Sequence, residues 1–150
     1  MIITSRQFGP VEIDEEKIIS MPKGMPGFPG KERFILLSQE EIDPMVSFQC
    51  VDDPDLAFAL MDPFLFMTEY AIDLDAAVRD MGWDVEKPEE LYLYTIINAS
   101  GDRPEEITAN LAGPLLVHTG VSEALQMVIP DERYSHKHAI FPAEEEKAEG

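Results

Sequence analysis

Two histidines stand one residue apart in "HKH", His136 to His138. In an extended segment both imidazoles project to one side, which is half of a zinc site. The single cysteine, Cys50, falls in the alternating run "MVSFQC", a pattern that buries it in a strand and away from metal chemistry. The aspartates of "DDPD", Asp52 to Asp55, offer hard oxygen ligands, but they lack the spacing and closing glutamate of a calcium loop. A turn is the better reading. His118, in "PLLVHT", has no acid close by in sequence to orient it, so it reads as structural or solvent-facing. The glycines of "KGMPGFPG" superficially suggest a phosphate loop. Pro26 and Pro29 remove the N–H donors such a loop needs, and no Gly-Lys-Ser/Thr follows. No G-x-S-x-G nucleophile motif occurs. The expectation is no catalytic set, no cofactor site and no metal site.

The elements that must position these residues read as mostly β. Short apolar or alternating runs recur between turn signals: "FGPVEI", "KIISM", "RFILLS", "MVSFQCV", "LAFALM", "ELYLYTIINA", "EITANLA", "PLLVHT", "ALQMVIP" and "HAIF". Many short strands with regular breaks predict a barrel or sandwich. In "MVSFQC", Val46, Phe48 and Cys50 share one face, and Ser47 and Gln49 face away. "DDPD" and "ASGD" mark turns. "DLDAAVRDMGW" breaks the rhythm: Asp73 is a candidate N-cap, Gly82 a stop, and Leu74, Ala77, Val78 and Met81 fall at helical spacing. "KPEEL" adds a possible helical turn begun by Pro88. The residues predict a mainly β single domain, barrel or sandwich, with one or two short helices. The acidic segment 143–150, "AEEEKAEG", lacks apolar anchors and is expected to be a disordered tail.

Charge narrows the partners. The chain has 150 residues, 11 Lys and Arg against 30 Asp and Glu, and a formal net charge of −19. Such a chain repels nucleic acid and anionic lipid and attracts basic partners. There is no run long and apolar enough for a membrane helix, no signal-peptide pattern and no possible internal disulfide, which together predict a cytoplasmic protein.

"MPKGMPGFPG", Met21 to Gly30, holds too many breakers for a helix or strand, yet is too apolar for a solvated linker. Gly24 and Gly27 permit positive φ and Pro26 fixes φ between them, which predicts a rigid connection at a barrel end. Phe28 is expected to fold back and plug that end, and Met25 to suit an adaptable contact surface. A second apolar cluster, "DPFLFMTEY", carries Phe64, Phe66 and Met67, either as core under the helix or as part of a groove for a partner helix.

Read together, these blocks resemble a family. "GMPGF", Gly24 to Phe28, is similar to the G-[LM]-P-G-F motif of the FliW flagellar assembly factors. "SFQCVDDPDLAFALMDP", Ser47 to Pro63, resembles that family's F-Q-S-x-x-x-P-x-x-A-F-x-x-x-x-P block. "ITANLAGPLLVHT", Ile107 to Thr119, is similar to its T-x-N-L-x-A-P-[IL]-x-[IV]-N, with Gln126 and Tyr134 following at matching distances. Cys50, Gly113, His118 and Lys137 stand where serine, alanine, asparagine and arginine are usual. The resemblance implies a small, mainly antiparallel β-barrel-like single domain that is not an enzyme, FliW-like over 1–142. It also implies two partners: CsrA, a basic RNA-binding dimer that represses flagellin mRNA, and flagellin itself. Met25, Phe28, Phe64, Phe66, Asn110, His118 and Tyr134 become candidate partner contacts, with Gly24, Pro26 and Gly27 as the structural turn. The alternative left open by the residues alone is a small acidic binding module or metal-dependent enzyme.

Overall fold

The structure, a computed structural model, describes residues 1–99, 103 and 106–140. Most of the "ASGD" turn and the whole acidic tail lie outside the described residues. Ten strands are present among those described: β1 (Ile2–Ser5), β2 (Gly9–Glu12), β3 (Ile19–Ser20), β4 (Arg33–Leu37), β5 (Val46–Cys50), β6 (Ala57–Met61), β7 (Leu91–Asn98), β8 (Thr108–His118), β9 (Glu123–Gln126) and β10 (His138–Ala139). β1 and β2 form a separate hairpin. The order β8-β7-β6-β5-β4-β3-β9, with β9 returning to β8, closes a seven-stranded barrel, and β10 lies along the outer edge of β8. Every pairing is antiparallel except β3 with β9, which meet in parallel at Ser20 and Glu123. Closure removes the open edges that would otherwise invite aggregation.

Strand alternation sorts side chains to the two faces. Phe34, Phe48, Cys50, Leu60, Leu115, Val117 and Ala124 fill the interior, with Leu36, Val46, Phe58, Tyr94 and Ile96 beside them. Phe34 and Phe48 stack at 4.5 Å between ring centroids. The inward set Val46, Phe48, Cys50 is as the alternation predicts. The opposite face of β5 is not the solvated one that polar Ser47 and Gln49 suggest, for both are buried. Further chain lies against the barrel's outside, so burial there follows from tertiary cover and leaves no mark on strand composition.

That cover comes in patches. The β1–β2 hairpin lays Ile3 over Ile35 and Leu37, with Ile13 following β2 into the same cluster. A single α-helix, α1 (Asp75–Met81), packs Ala77 on Leu116 and Met127, together with Trp83. Gly82 ends the helix at φ 69°, as predicted, but the N-cap position is Leu74 and not Asp73, which lies one residue earlier and accepts a hydrogen bond from the Asp75 N–H at 2.8 Å. Pro88 begins a short 3-10 turn, Pro88–Glu90, as its sequence predicts. Phe66 packs over Met61, Ile97 and Ala109. No helix among the described residues is long and apolar enough to cross a membrane.

β8 differs from expectation. "EITANLA" and "PLLVHT" read as two strands, yet they form one, with a bulge between. The register to β7 runs Tyr94↔Leu115 and then Ile96↔Asn110, leaving Leu111 to Pro114 opposite Thr95. The Asn110 Oδ1 accepts from the N–H groups of Ala112 at 3.1 Å and Gly113 at 2.8 Å, supplying partners the ladder no longer provides. The bulge is where a strand tolerates Pro114.

Candidate partner-binding surface

The Met21–Lys31 segment is three β-turns in succession. Gly24 N–H donates to the Met21 carbonyl (2.8 Å), Phe28 N–H to that of Met25 (2.9 Å), and Lys31 N–H to that of Phe28 (3.2 Å). Each turn has proline second: Pro22, Pro26 and Pro29. Gly27 and Gly30, third in the latter two, have φ of 87° and 82°, the arrangement of type II turns. The rigid connection is therefore present, but its two apolar side chains exchange expected roles. Met25 is buried in the barrel core beside Met21. Phe28 is 38% exposed, resting edge-on against Phe58 at 5.4 Å. Met25 thus lies at the inward end of the turn and Phe28 at the rim.

The remaining predicted contacts divide in the same way. Phe64 and its neighbour Leu65 are exposed on the 3-10 turn Pro63–Leu65, whereas Phe66 is half-buried and stacks on His138 at 5.9 Å. The cluster "DPFLFMTEY" is thus core at Phe66 and Met67 and surface at Phe64. Asn110 is occupied by the β8 bulge. His118 is buried, its Nδ1 accepting from Gly120 N–H (3.2 Å) and its ring meeting Trp83 edge-on at 5.2 Å. Tyr134 is buried too: its hydroxyl accepts from the Ala71 N–H (3.0 Å) and donates to the Ala71 carbonyl (3.2 Å). Its ring meets Tyr70, whose hydroxyl donates to the Leu111 carbonyl. Burial, and then the Tyr134 phenol, push Tyr70 up to about 12. The structure thus places Met25, His118 and Tyr134, all expected as partner contacts, in buried positions held by packing. Phe28 and Phe64 are the aromatic candidates left at the surface. No three His, Cys, Asp or Glu side chains converge on a common point among the described residues.

A concavity lies elsewhere, between α1 and the chain running out of β9. It encloses about 680 Å³. Ala76 and Ala77 form one wall, Leu125 to Ile129 the other, with Asp73, Asp80 and Asp131 at its margin against one cation, Lys23. Val128 is 86% exposed on that wall. None of the predicted contacts lines it. Its sequence signal was present: Asp73, Ala76, Ala77 and Asp80 recur at i, i+3, i+4 and i+7, a small-and-acidic helix face beside the apolar one.

At the opposite end of β4, Arg33 grips Asp52 with two hydrogen bonds, 2.5 and 3.1 Å. The Arg33 hydrogen bond holds the Asp52 carboxyl below its usual range. "DDPD" is the turn expected: Asp53 Oδ1 accepts from Asp55 N–H, and the Gln49 amide donates to the carbonyls of Asp53 and Leu56.

Comparison with known proteins agrees with this architecture. A flagellar assembly factor FliW of Geotalea uraniireducens is 37% identical over 150 residues, covering 100% of this chain and 90% of the relative. That of Bacillus subtilis is 34% identical over 140 residues, covering 93% and 96%. A crystal structure of the flagellar assembly factor FliW superposes with a TM-score of 0.85 at 30% identity, covering 95% of this chain and 98% of that one. The sequence model of the FliW protein matches residues 2–140. With strand order, turn string and sequence in agreement along nearly the whole length, this chain belongs to the FliW family.

Proposed function

We propose that this chain is a flagellar assembly factor that acts in the cytoplasm by binding, not by catalysis. It binds CsrA and relieves repression of flagellin mRNA, and it binds flagellin before export. Free flagellin then displaces CsrA and restores repression. The observation that carries this reading is family membership over residues 2–140. The formal charge of −19 supports it, since a strongly acidic protein suits a basic RNA-binding partner and repels the RNA beside it. Phe28, Phe64 and the groove along α1 are the surfaces assigned to contact. The domain spans 1–142, with 143–150 outside the docking surface.

The test is a titration of flagellin into a preformed complex of this protein with CsrA, followed by size exclusion with light scattering. Release of free CsrA is expected. A stable ternary complex at saturating flagellin, with CsrA affinity unchanged, would refute the switch. Exclusion between separate sites would need a coupling of about 1–3 kcal/mol. Calorimetry against divalent metals separates the alternative of a metal-dependent enzyme, for which saturable metal binding without protein binding is the signature.

A further inference from the structure

The seam of the barrel pairs over a short length. β3 meets β9 at Ser20 and Glu123 alone. Met21 N–H then donates to the Glu32 carbonyl, on the β4 side, and the chain turns back with Gly24 N–H donating to the Met21 carbonyl. β9 runs on without that neighbour. Its ladder with β8 continues past Gln126: Met127 N–H donates to the Pro114 carbonyl (2.8 Å) and Ile129 N–H to the Ala112 carbonyl (2.8 Å). Main-chain groups alternate in direction along a paired strand, so Gln126 and Val128 aim their N–H and C=O groups away from β8. Among the described residues no hydrogen bond reaches the Val128 N–H. An open edge of this kind is a template for another strand.

This edge borders the groove beside α1. Gln126 and Val128 both line it, and Val128 is 86% exposed. Across the groove Ala76 stands exposed on α1, too small to bar an approaching main chain. Asp73 and Asp80 lie about one helical turn to either side of it. With Asp131 they set three carboxylates against Lys23, a margin that complements a cation. The same margin opposes a second copy of this chain, whose aspartates would face these. A helix bonds its own main chain and gains nothing from an open edge, whereas an extended segment pairs with it. Residues 125–129 offer about 17 Å of edge, enough for a short strand. Side chains of an added strand alternate between its two faces. One set lies toward α1, where a lysine or arginine stem covers Ala76 and its head reaches Asp73 or Asp80. The other set lies beside Val128, which favours an apolar neighbour.

We propose that the open edge at 125–129 takes an extended segment of a partner polypeptide as an added β-strand, with basic side chains toward α1 and apolar ones beside Val128. This rests on the assignment of the α1 groove to partner contact, and it adds the mode of docking and the chemistry of the segment.

The probe is the peptide acetyl-Lys-Val-Lys-Val-Lys-amide, titrated into the full-length isotope-labelled protein at low salt while amide shifts are followed. Saturable shifts at Ala76, Asp80, Gln126 and Val128 are expected. Two further peptides carry N-methyl groups on the valine amides or on the lysine amides, so each blocks one edge of the peptide. One of them should bind at least about tenfold more weakly than the parent peptide, and the other within about threefold of it. This arm needs no variant of the protein. Val128→Pro removes the outward donor at an edge position that tolerates proline, and should abolish the shifts with little change in melting temperature. Val128→Ala keeps the donor and should bind within about threefold of the parent protein. The probe is neither CsrA nor flagellin, so its failure leaves the partner switch standing, and failure of the switch leaves this result intact. Equal binding of the two methylated peptides, non-saturating shifts spread over the acidic surface, or Val128→Pro binding as tightly as the parent would each overturn the proposal. So would a dimer of the parent protein in light scattering that Val128→Pro dissociates, which would assign the edge to a second copy.

Discussion

Gly27 has φ of 87° and open space where a Cβ would stand, so the strain of any replacement there is purely backbone. Gly27→Val should destabilise by about 1–3 kcal/mol, and Gly27→Asn by less, because asparagine tolerates left-handed backbone. Urea unfolding of both variants checks the order; equal stability of valine and glycine would remove the conformational requirement. This residue was legible because a Pro-Gly pair names its turn. Met25 and Phe28 were not. Both flank the same turn with similar hydropathy, so nothing local tells them apart, and packing puts Met25 in the core and Phe28 against Phe58. Tyr70 gives a pH-dependent counterpart. Its phenol titrates near 12 in the fold, above the ordinary 10, so its stabilising effect is complete below pH 10 and is lost as pH rises toward 12. The loss should be about 1–2 kcal/mol after screening by nearby solvent. Tyr70→Phe should flatten the decline between pH 10 and 12 in denaturant titrations, and an unaltered slope would assign the decline elsewhere.

At the scale of elements, α1 was readable because capping, stop and apolar spacing all agree within one segment. β1 is not among the runs that read as strands, because its alternation is only four residues long, with Ile3 and Ser5 buried once the hairpin lies on the barrel. β8 appeared divided because Gly113 and Pro114 look like a break, and a bulge stabilised by one side chain has no separate sequence signature. Asn110→Ala leaves two backbone N–H groups without that acceptor, and about 1–2 kcal/mol should be lost. Hydrogen exchange should accelerate at Ala112 and Gly113 ahead of the rest of β8; uniform protection would show the bulge stands without Asn110. The α1 groove is harder to read, because the face that lines it is small and acidic and carries no apolar stripe.

For the whole molecule, charge is the property that sequence states outright. With a formal −19, attraction for a basic protein extends beyond contact distance. At physiological ionic strength the Debye length is about 8 Å, so association with CsrA, the partner proposed above, should slow as salt rises from low to physiological levels, while dissociation changes less. Stopped-flow rates that stay flat over that range would remove steering from the mechanism. Deleting 143–150 takes away four glutamates and one lysine and leaves most of the charge in place, so the salt dependence should weaken only slightly. Strand number and turn spacing leave barrel and sandwich open, and it is the family resemblance that points to the barrel, because the closing contact depends on two strands far apart in the chain.

That closing contact, Ser20 beside Glu123, also fixes an order of events on the ribosome. The two residues are separated by roughly a hundred positions, which at about 5–20 residues per second takes roughly 5–20 s to synthesise. Through that interval β3 and β4 exist without β9, and Met21, Met25 and Phe34 have no lid of Leu115, Val117 and Ala124 above them. The three proline turns fix the end of this unfinished sheet early and locally, needing nothing from the later chain. Translation thus delivers the stiff end first and the seam last, so the nascent chain depends on its dense negative charge to remain dispersed until the barrel shuts.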